Sequence, residues 1–343
     1  MANIKLRNSK VLGDFRSPYI VAELNTSHFG DLELAKKMID QAVGAGCDCV
    51  KFQSWSADTL YSQTYYAENP IAKRFVDKFS FSEDQLLEVA SYSKECGIDF
   101  ASTPYSRQEV MFLLEKCNVP FIKVASMDLN NYPYLDFIAR TGTPIVLSTG
   151  MGELKEIHKA VETIKKAGNN KICILHCISI YPPVLETIRL KNILGLRNEF
   201  PDFPIGYSDH STGVEMASAA VALGACLIEK HFTLDKTKIG MDNQVATEPI
   251  EMALLVRNSH NIQIALGDTD RILFPAEIEQ KKKMRRSIVA AKYLKAGTKL
   301  TASDLDSKRP GTGLPPERMN ELIGKILIRD VEVSTLISEA DFS

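Results

Sequence analysis

The stretch PIVLSTG, residues 144–150, contains an unbroken apolar run that ends on a hydroxyl side chain. A strand with one face in water would alternate apolar and polar residues, whereas this run predicts a strand that is buried on both faces. An amphipathic stretch at residues 153–167 follows it with the spacing of a helix. A buried strand followed by a helix is typical of a parallel α/β fold.

The same pattern of strand and helix recurs on both sides of this stretch. Further strands are predicted at residues 18–23, 48–53, 98–102, 121–125, 171–176, 204–208 and 225–231. Further helices are predicted at residues 31–45, 82–96, 106–116, 134–141, 187–198, 214–223 and 249–266. Eight such units in about 250 residues predict a closed (β/α)8 TIM barrel. The alternative is an open doubly wound sheet, but no glycine-rich nucleotide-binding turn follows the first strand.

The pattern changes near residue 267, where the predicted barrel ends. Residues 277–286, EIEQKKKMRR, are densely charged and predict a solvated linker or helix. Short apolar pieces and turns rich in glycine and proline follow. We therefore expect a barrel at residues 1–268, a linker at 269–283 and a small second domain at 284–343. Within the barrel, the polar stretch at residues 54–78 is too long for a tight connection and predicts a functional loop.

Composition and charge exclude several classes of protein. The 343 residues include 41 Lys+Arg and 43 Asp+Glu, and 45% of them are hydrophobic. This balance excludes disorder as the main state, and without a basic excess we expect no nucleic-acid partner. No run of about 18 uncharged apolar residues and no apolar signal core occurs, so we expect no membrane association. Seven scattered Cys residues indicate reduced thiols and a cytoplasmic location.

Nearly every predicted strand ends in a polar or ionisable side chain. These residues are Glu23, Lys51, Gln53, Thr103, Lys123, Ser126, Asp128, Ser148, His176, Ser179, Ser208, Asp209, His210, Glu229 and His231. Because the carboxyl ends of barrel strands meet at one mouth, their convergence predicts an active site there. Two alternatives stay open: His176 is equally well explained as a hydrogen-bonded core histidine, and Glu229 as the ion-pair partner of Lys230.

The residue types at the predicted mouth indicate an anionic ligand and a metal. Two lysines and several hydroxyls suit a phosphorylated ligand. His210 and His231 end adjacent strands, so both imidazoles can face one divalent ion that keeps open positions for substrate oxygen. Either Asp209 or Glu23 could orient such a histidine. Spacing alone leaves open whether the two histidines bind a metal or are a chance pair.

Segments that contain these residues resemble the N-acylneuraminate (sialic acid) synthase family. They are AELNTSHFG at 22–30, VKFQ at 50–53, STPYSR at 102–107, KVAS at 123–126, NNYP at 130–133, LSTGM at 147–151, LHC at 175–177, IYP at 180–182, YSDHS at 207–211, ALGACLIEKHFTLD at 222–235 and KRPGTG at 308–313. The segments follow in order over nearly the whole chain. The last one resembles the family's antifreeze-like (SAF) domain, which implies a small β-clip domain after the barrel.

The resemblance implies a metal-dependent condensation of phosphoenolpyruvate with an N-acylated mannosamine-type sugar. The products would be a nine-carbon 2-keto sugar acid and phosphate. The implied catalytic residues are Glu23, Lys51, His210 and His231, and the two histidines would bind Mn²⁺ or Mg²⁺. The implied phosphoenolpyruvate contacts are Lys51, Thr103, Lys123, Ser126, Ser148, Ser179 and Ser208. The implied sugar contacts are Gln53, Asp128, Tyr181, Asp242 and Arg309.

The chain departs from the family pattern mainly at the predicted sugar end. Met127-Asp128 stands where many members have Gly-Glu, and Gly240-Met241-Asp242 stands where neuraminate synthases often have Gly-Pro-Asp. Ser179 replaces an Asn that contacts phosphate. These departures leave the identity of the sugar open. The resemblance also implies a domain-swapped homodimer, in which Arg309 of the small domain reaches the barrel mouth of the partner chain.

Two other functions compete with this interpretation. A synthase that condenses phosphoenolpyruvate with an aldose phosphate would need a second phosphate pocket, for which Arg107 is the obvious candidate in the sequence. A non-catalytic carbohydrate-binding protein is the other alternative. A barrel without catalysis would have no use for the full set of residues at the strand ends.

Overall fold

The computed structural model describes residues 1–342, which fall into two compact units that divide between Gly267 and Asp268. Strands of the first unit are β1 (Asn3–Lys5), β2 (Val11–Gly13), β3 (Tyr19–Glu23), β4 (Cys49–Ser54), β5 (Asp99–Pro104), β6 (Ile122–Val124), β7 (Ile145–Ser148), β8 (Ile172–Cys177), β9 (Ile205–Asp209) and β10 (Leu227–His231). Its helices are α1 (Leu32–Ala45), α2 (Ala57–Leu60), α3 (Gln63–Glu68), α4 (Pro70–Phe79), α5 (Glu83–Glu95), α6 (Arg107–Glu115), α7 (Tyr132–Arg140), α8 (Leu154–Lys166), α9 (Leu185–Ile188), α10 (Asn192–Glu199), α11 (Glu215–Ala222) and α12 (Pro249–Leu266).

Strands β3 to β10 form one parallel sheet that closes on itself. The hydrogen-bonded order is β5-β4-β3-β10-β9-β8-β7-β6. The last barrel strand in the chain, β10, therefore pairs with the first, β3, and His231 lies opposite Glu23. Strands β5 and β6 lie side by side at the seam. The predicted TIM barrel is therefore confirmed.

Local signals in the sequence fix where the barrel helices begin and end. Asp31 caps α1 by accepting a hydrogen bond from the backbone of Leu34, and Gly46 ends that helix with a left-handed φ of 84°. Ser82 and Gln85 form a reciprocal capping box at the start of α5. Each strand is thereby followed by a helix that packs on the outside of the sheet.

Alternation along the strands decides which side chains face the barrel interior. On β4, Val50 and Phe52 pack in the large core between the sheet and the helices. Cys49, on the other face, belongs to a second cluster inside the barrel. Ile4 and Leu12 of the antiparallel β1–β2 hairpin complete that inner cluster, so the hairpin covers the base of the barrel. Sequence analysis did not anticipate this hairpin.

Residues 54–78, predicted to be a loop, contain the three short helices α2, α3 and α4. Ser62 caps α3 through its side chain, and Pro70 begins α4 at a position that needs no backbone N–H. Tyr66 and Val76 bury their side chains in a small separate cluster. The segment is thus an ordered helical insertion in the first half of the barrel.

The second unit has its own core. It contains α13 (Pro275–Met284), β11 (Ser287–Ala290), β12 (Leu305–Lys308) and α14 (Met319–Leu322), with β11 and β12 antiparallel. The core side chains are Ile288, Leu294, Leu300, Leu322, Val331 and Ile337. The charged segment at 277–286 is mostly helical, which was one of its two predicted states. In residues 1–342, no helix is both long and apolar enough to cross a membrane.

Candidate active site

A cavity of about 300 Å³ opens at the carboxyl ends of the barrel strands. The predicted site residues that line it are Glu23, Lys51, Gln53, Thr103, Lys123, Ser126, Ser148, Ser179, Tyr181, Ser208, His210, His231 and Asp242. Asp128 lies in the turn after β6, where its carboxylate accepts a hydrogen bond from Asn131 at 3.1 Å, and it is not among the described lining residues. Arg309 belongs to the second unit.

Two lysines and two glutamates form a buried cluster of charges at the bottom of the cavity. Lys51 forms an ion pair with Glu23, and its Nζ lies 3.8 Å from the carboxylate of Glu229. Lys123 Nζ lies 3.5 Å from the other oxygen of Glu229. At most 6% of the surface of any of these residues is exposed. The cluster has no net formal charge, which makes its burial possible.

Burial and the neighbouring charges shift the pKa values of the four groups in different directions. Burial raises the pKa of Glu23 more than the neighbouring Lys51 lowers it, and burial lowers the pKa of Lys123. Burial alone would also raise the pKa of Glu229, but Lys123 and Lys51 outweigh it and lower that pKa. Lys51 behaves likewise: the carboxylates of Glu229 and Glu23 outweigh burial and raise its pKa. Glu23 and Lys123 are therefore the members that change protonation most readily.

Hydroxyl groups surround the charged cluster at hydrogen-bond distance. Lys51 donates to Thr103 at 3.0 Å, and Lys123 donates to Ser148 at 2.8 Å. Ser208 donates to Glu229 at 2.9 Å. Each ammonium group thus has a neutral acceptor beside it as well as a carboxylate, so an incoming anion can replace the carboxylate without leaving the lysine unpaired.

A glycine allows two further hydroxyls to line the cavity wall. The backbone N–H of Gly150 donates to Ser126 Oγ at 3.0 Å. A Cβ at position 150 would lie 2.2 Å from Ser179 Oγ and 2.8 Å from Ser126 Oγ. A larger residue at position 150 would therefore have to displace both serine hydroxyls from the positions they occupy here.

The two predicted metal ligands face each other across the cavity. The ring centroids of His210 and His231 are 5.4 Å apart, and the ring of Tyr181 packs against His210 at 4.1 Å. His210 Nδ1 lies 2.7 Å from the carbonyl oxygen of Ile178, which fixes its tautomer and leaves Nε2 for a ligand. Burial, followed by the charge of His210, lowers the pKa of His231 well below its usual value, so its ring is neutral.

The donor set at this pair fits a divalent ion that shares its coordination with substrate or water. In the described part of the chain, no group of three or more His, Cys, Asp or Glu residues is arranged as a complete metal site. Two imidazoles beside an open cavity leave several coordination positions free, as in a catalytic rather than a structural site. His210 is oriented by the hydrogen bond that its Nδ1–H donates to the backbone carbonyl of Ile178, so the prediction that Asp209 or Glu23 orients a histidine receives no support.

Comparisons with known proteins agree with this geometry. The NeuB family model matches residues 38–271, and the SAF domain model matches residues 285–343. The chain is 39% identical to the human N-acetylneuraminate-9-phosphate synthase over 94% of this chain and 91% of that protein. It is 37% identical to the N,N'-diacetyllegionaminic acid synthase of Campylobacter jejuni over 93% of this chain and 98% of that protein.

The chain belongs to the NeuB family. Its structure is similar to that of N-acetylneuraminic acid (sialic acid) synthetase from Leptospira borgpetersenii, solved in complex with citrate. The TM-score is 0.74 at 35% identity, with 81% of this chain and 94% of that chain covered. The predicted family, the predicted SAF domain and the prediction of an N-acetylneuraminate synthase-type enzyme are confirmed.

His176 and Glu229, each with two possible interpretations from the sequence, lie in different parts of this NeuB-family barrel. His176 lies outside the main cavity, stacked on Tyr207 and 2.7 Å from the carbonyl oxygen of Ile188, so it is the hydrogen-bonded core histidine of the two alternatives. Glu229 faces the cavity, whereas Lys230 points to the other side of β10 and pairs with Asp209 at 2.8 Å. The alternative of a Glu229–Lys230 ion pair is therefore wrong, because neighbouring strand residues point to opposite faces.

Two polar residues of the cavity, Asn25 and Tyr105, were not predicted from the sequence. Asn25 follows Glu23 by two positions, and Tyr105 follows Thr103 by two. This spacing was the available signal, because residues two apart on a strand or its extension share a face. Asn25 has a φ of 41°, and its amide donates to Asp242 at 2.5 Å, which ties the loop after β3 to the loop after β10.

The outer end of the cavity is apolar where the inner end is charged. Met127, Met151 and Met241 line this rim and are between 46% and 71% exposed. Trp55, Leu60 and Tyr61 of the helical insertion add a second apolar wall. Arg107, the candidate for a second phosphate pocket, instead packs over the ring of Phe137 at 5.1 Å. Such a rim suits methyl and acyl groups better than a second phosphate.

Proposed function

We propose that this protein is a nonulosonic acid synthase that condenses phosphoenolpyruvate with an unphosphorylated N-acyl amino sugar of the mannosamine type. The observation that carries the proposal is the cluster of two buried lysines, each beside a hydroxyl and a glutamate, beneath an apolar rim. The inner end offers two lysines for a small phosphorylated acid, and no other Lys or Arg is among the described residues that line the cavity. The similarity to sialic and legionaminic acid synthases supports the same reaction class.

Phosphoenolpyruvate would bind at the inner end of the cavity. Lys51 and Lys123 supply the positive charge, and the hydroxyls of Thr103, Ser126, Ser148, Ser179 and Ser208 supply neutral hydrogen bonds. As the anion enters, it takes over both ammonium groups from Glu23 and Glu229. The carboxylate of Glu23 is thereby released from its ion pair and becomes available to the reacting atoms.

Bond making and breaking follow from this arrangement. C3 of phosphoenolpyruvate forms a bond to the aldehyde carbon of the open sugar, whose oxygen takes up a proton. Water adds at C2 and loses one proton. The bond between C2 and the phosphate oxygen then breaks while the new C2 hydroxyl gives its proton to the leaving phosphate, so the two protons of the water end on the sugar oxygen and on phosphate. Glu23 is suited to accept the proton of the water, because burial raises its pKa towards the working pH.

His210 and His231 would hold a divalent ion, Mn²⁺ or Mg²⁺, at the outer side of the charged cluster. When bound, such an ion polarises the aldehyde carbonyl of the sugar. Tyr181 packs on both imidazoles and restricts their rotation. Gln53, Asp242 and Asn25 lie near enough to the same cavity to bind sugar hydroxyl or amide groups, and Asp128 would act from the adjacent turn.

Phosphate release tests the reaction. Purified protein is incubated with phosphoenolpyruvate and one of N-acetylmannosamine, its 6-phosphate, 2,4-diacetamido-6-deoxymannose, the altrose-type precursor of pseudaminate, or arabinose 5-phosphate. We expect release with at least one unphosphorylated N-acyl sugar and a 2-keto acid as product. Release with arabinose 5-phosphate alone would favour the aldose-phosphate synthase. The absence of release with every acceptor would favour a binding protein.

Chelation tests the metal. We expect a strong chelator to stop phosphate release and Mn²⁺ or Mg²⁺ to restore it. His210→Ala and His231→Ala should each abolish turnover and weaken Mn²⁺ binding measured by electron paramagnetic resonance. His176→Ala is the matched control, since that buried histidine faces away from the cavity. Full activity in the chelator would contradict the proposal.

We further propose a cytoplasmic, domain-swapped homodimer in which Arg309 of one chain binds the sugar in the barrel of its partner. A second unit of this size gains stability from docking, and Pro310 and Gly311 hold Arg309 in a tight turn. Mixed dimers of His210→Ala and Arg309→Ala chains contain one barrel with both residues intact, so activity should partly return. A confirmed mixed dimer without activity would exclude a role for Arg309 across the dimer.

A further inference from the structure

A tyrosine that sequence analysis did not select is connected to the reacting end of the cavity. The hydroxyl of Tyr105 donates to Gln53 Oε1 at 3.1 Å, and Gln53 Nε2 donates to Glu23 Oε1 at 3.2 Å. Glu23 in turn forms the ion pair with Lys51. These hydrogen bonds join a residue beyond the end of β5 to the charged cluster at the bottom of the cavity.

The position of Tyr105 is fixed by a hydrogen bond from its backbone and by the packing of its ring. Its backbone N–H donates to Glu109 Oε2 at 2.7 Å, and the other oxygen of Glu109 accepts from Thr59 at 2.8 Å. Its ring packs on Trp55 with centroids 5.7 Å apart. The hydroxyl therefore reaches Gln53 from a rigid support, at little cost in side-chain entropy.

The two hydrogen bonds determine what Gln53 offers to a ligand. The carboxylate of Glu23 can only accept, so the amide nitrogen of Gln53 must face it. The carbonyl oxygen then faces Tyr105 and is occupied. One amide N–H remains, for which the described residues contain no acceptor, on a side chain that lines the cavity and is partly exposed.

We propose that Tyr105 is a positioning residue that makes Gln53 a pure hydrogen-bond donor towards the acceptor sugar. The free amide N–H of Gln53 would bind a sugar oxygen that acts as an acceptor, either a hydroxyl or the carbonyl of the N-acyl group. Without the tyrosine hydroxyl, the Gln53 carbonyl becomes free and the amide is no longer held in one orientation. This inference rests on the proposed function for the identity of the ligand.

A double-mutant cycle between Tyr105 and Gln53 tests the proposal. In the wild-type background, Tyr105→Phe should raise the KM for the preferred N-acyl sugar about 2- to 10-fold and leave the KM for phosphoenolpyruvate within a factor of about 2. In the Gln53→Ala background, the same change should have almost no effect on the sugar KM, because the residue through which Tyr105 acts is missing.

Tyr19→Phe is the matched control. This buried tyrosine also donates through its hydroxyl, to Asp99 at 2.6 Å, but it lies at the base of the barrel. Its replacement should leave both KM values unchanged. An equal rise in the sugar KM in both backgrounds of the cycle, or a parallel rise in both KM values, would overturn the proposal.

The same cycle measured on unfolding separates this inference from the proposed function. Tyr105→Phe and Gln53→Ala should be non-additive by a factor of at least about 2 in the unfolding equilibrium constant, whether or not a substrate is known. Additive effects on unfolding would overturn the inference alone. Coupling on unfolding without phosphate release from any acceptor would support the Tyr105–Gln53 contact and reject the proposed function.

Discussion

The buried charged residues on the two faces of strand β10 are paired in different ways. Lys230 points outwards, pairs with Asp209 at 2.8 Å, and also donates to the carbonyl oxygen of Ser211. Both side chains of this pair are completely buried. Glu229, the preceding residue, points into the cavity and lies 3.5 Å from Lys123 and 3.8 Å from Lys51.

The difference separates a charge that stabilises the fold from a charge that is kept for a ligand. Tyr207 and Ser211 both donate to Asp209, so the outer pair has its hydrogen bonds made within the wall. Lys51 also forms an ion pair with Glu23, but both inner lysines lie at longer distances from Glu229 and line the open cavity. A buried pair without access to the cavity resists exchange, whereas groups that line the cavity can exchange a carboxylate for a new anion.

The largest effect is expected from breaking the outer pair. Lys230→Met leaves the carboxylate of Asp209 buried without its cation, which should lower the free energy of unfolding by about 3–5 kcal/mol. Urea denaturation followed by circular dichroism measures this loss. Lys51→Met removes the same group beside the cavity. Burial raises the pKa of Glu23, so this carboxyl group can take up a proton once its cation is gone, and the loss of stability should be clearly smaller. Equal losses for the two variants would refute the distinction.

The inner lysines should instead control affinity for phosphoenolpyruvate. Removal of a hydrogen bond to a charged group is worth about 1.5–3 kcal/mol, so Lys51→Met and Lys123→Met should each raise the KM for phosphoenolpyruvate about 10- to 150-fold or stop turnover. Steady-state phosphate release measures the change. Lys10→Met, at a half-exposed ion pair with Asp48, is the control and should leave KM unchanged. Normal phosphoenolpyruvate binding by both inner variants would rule out the assignment.

A buried histidine on the outer side of the barrel should make stability depend on pH. His28 stacks on Phe81 at 4.0 Å and accepts a hydrogen bond from the backbone of Gly30, and burial lowers its pKa to about 4. Between pH 6.5 and 4 the unfolded chain binds a proton that the folded protein does not, so stability falls as the pH falls. At pH 5 the loss should be about 2 kcal/mol.

His28→Gln tests this dependence, since the side chain of Gln can still accept from Gly30 but does not titrate. The difference in unfolding free energy between pH 7 and pH 5 should be smaller in the variant by about 2 kcal/mol. His158→Gln, which replaces a half-exposed histidine, is the control. An unchanged pH difference in His28→Gln would show that this ring is not the cause.

The smallest effect is expected at the rim of the cavity. Asp128→Glu lengthens a partly exposed side chain that is now held by Asn131, and it should change the ranking of N-acyl sugars by a factor of about 2 to 5 in kcat/KM. The KM for phosphoenolpyruvate should stay constant. An unchanged ranking would assign sugar selectivity to other rim residues, such as Met241.

The number of barrel strands and the face of residues such as Glu23 and His231 could be predicted from the sequence, but the partners of those residues could not. Period-two alternation already put Glu229 and His231 on one side of β10. That Glu229 contacts Lys51, 178 positions away in the chain (229 − 51), depends on how the barrel closes. The hairpin at the base and the helices within residues 54–78 were missed because short elements carry little periodic signal.

What the sequence by itself determined is the chemistry: a parallel barrel with lysines, hydroxyls and two histidines at its strand ends, in segments that resemble one family. Only the tertiary structure decided which of these groups meet. In the folded structure, His176 lies outside the cavity and Lys230 pairs with Asp209 on the outer face of the sheet. Asn25 is hydrogen-bonded to Asp242, and Tyr105 to Gln53. The reason is physical: alternation along a strand is local, whereas contacts between strand ends arise only when β10 pairs with β3 and the sheet closes.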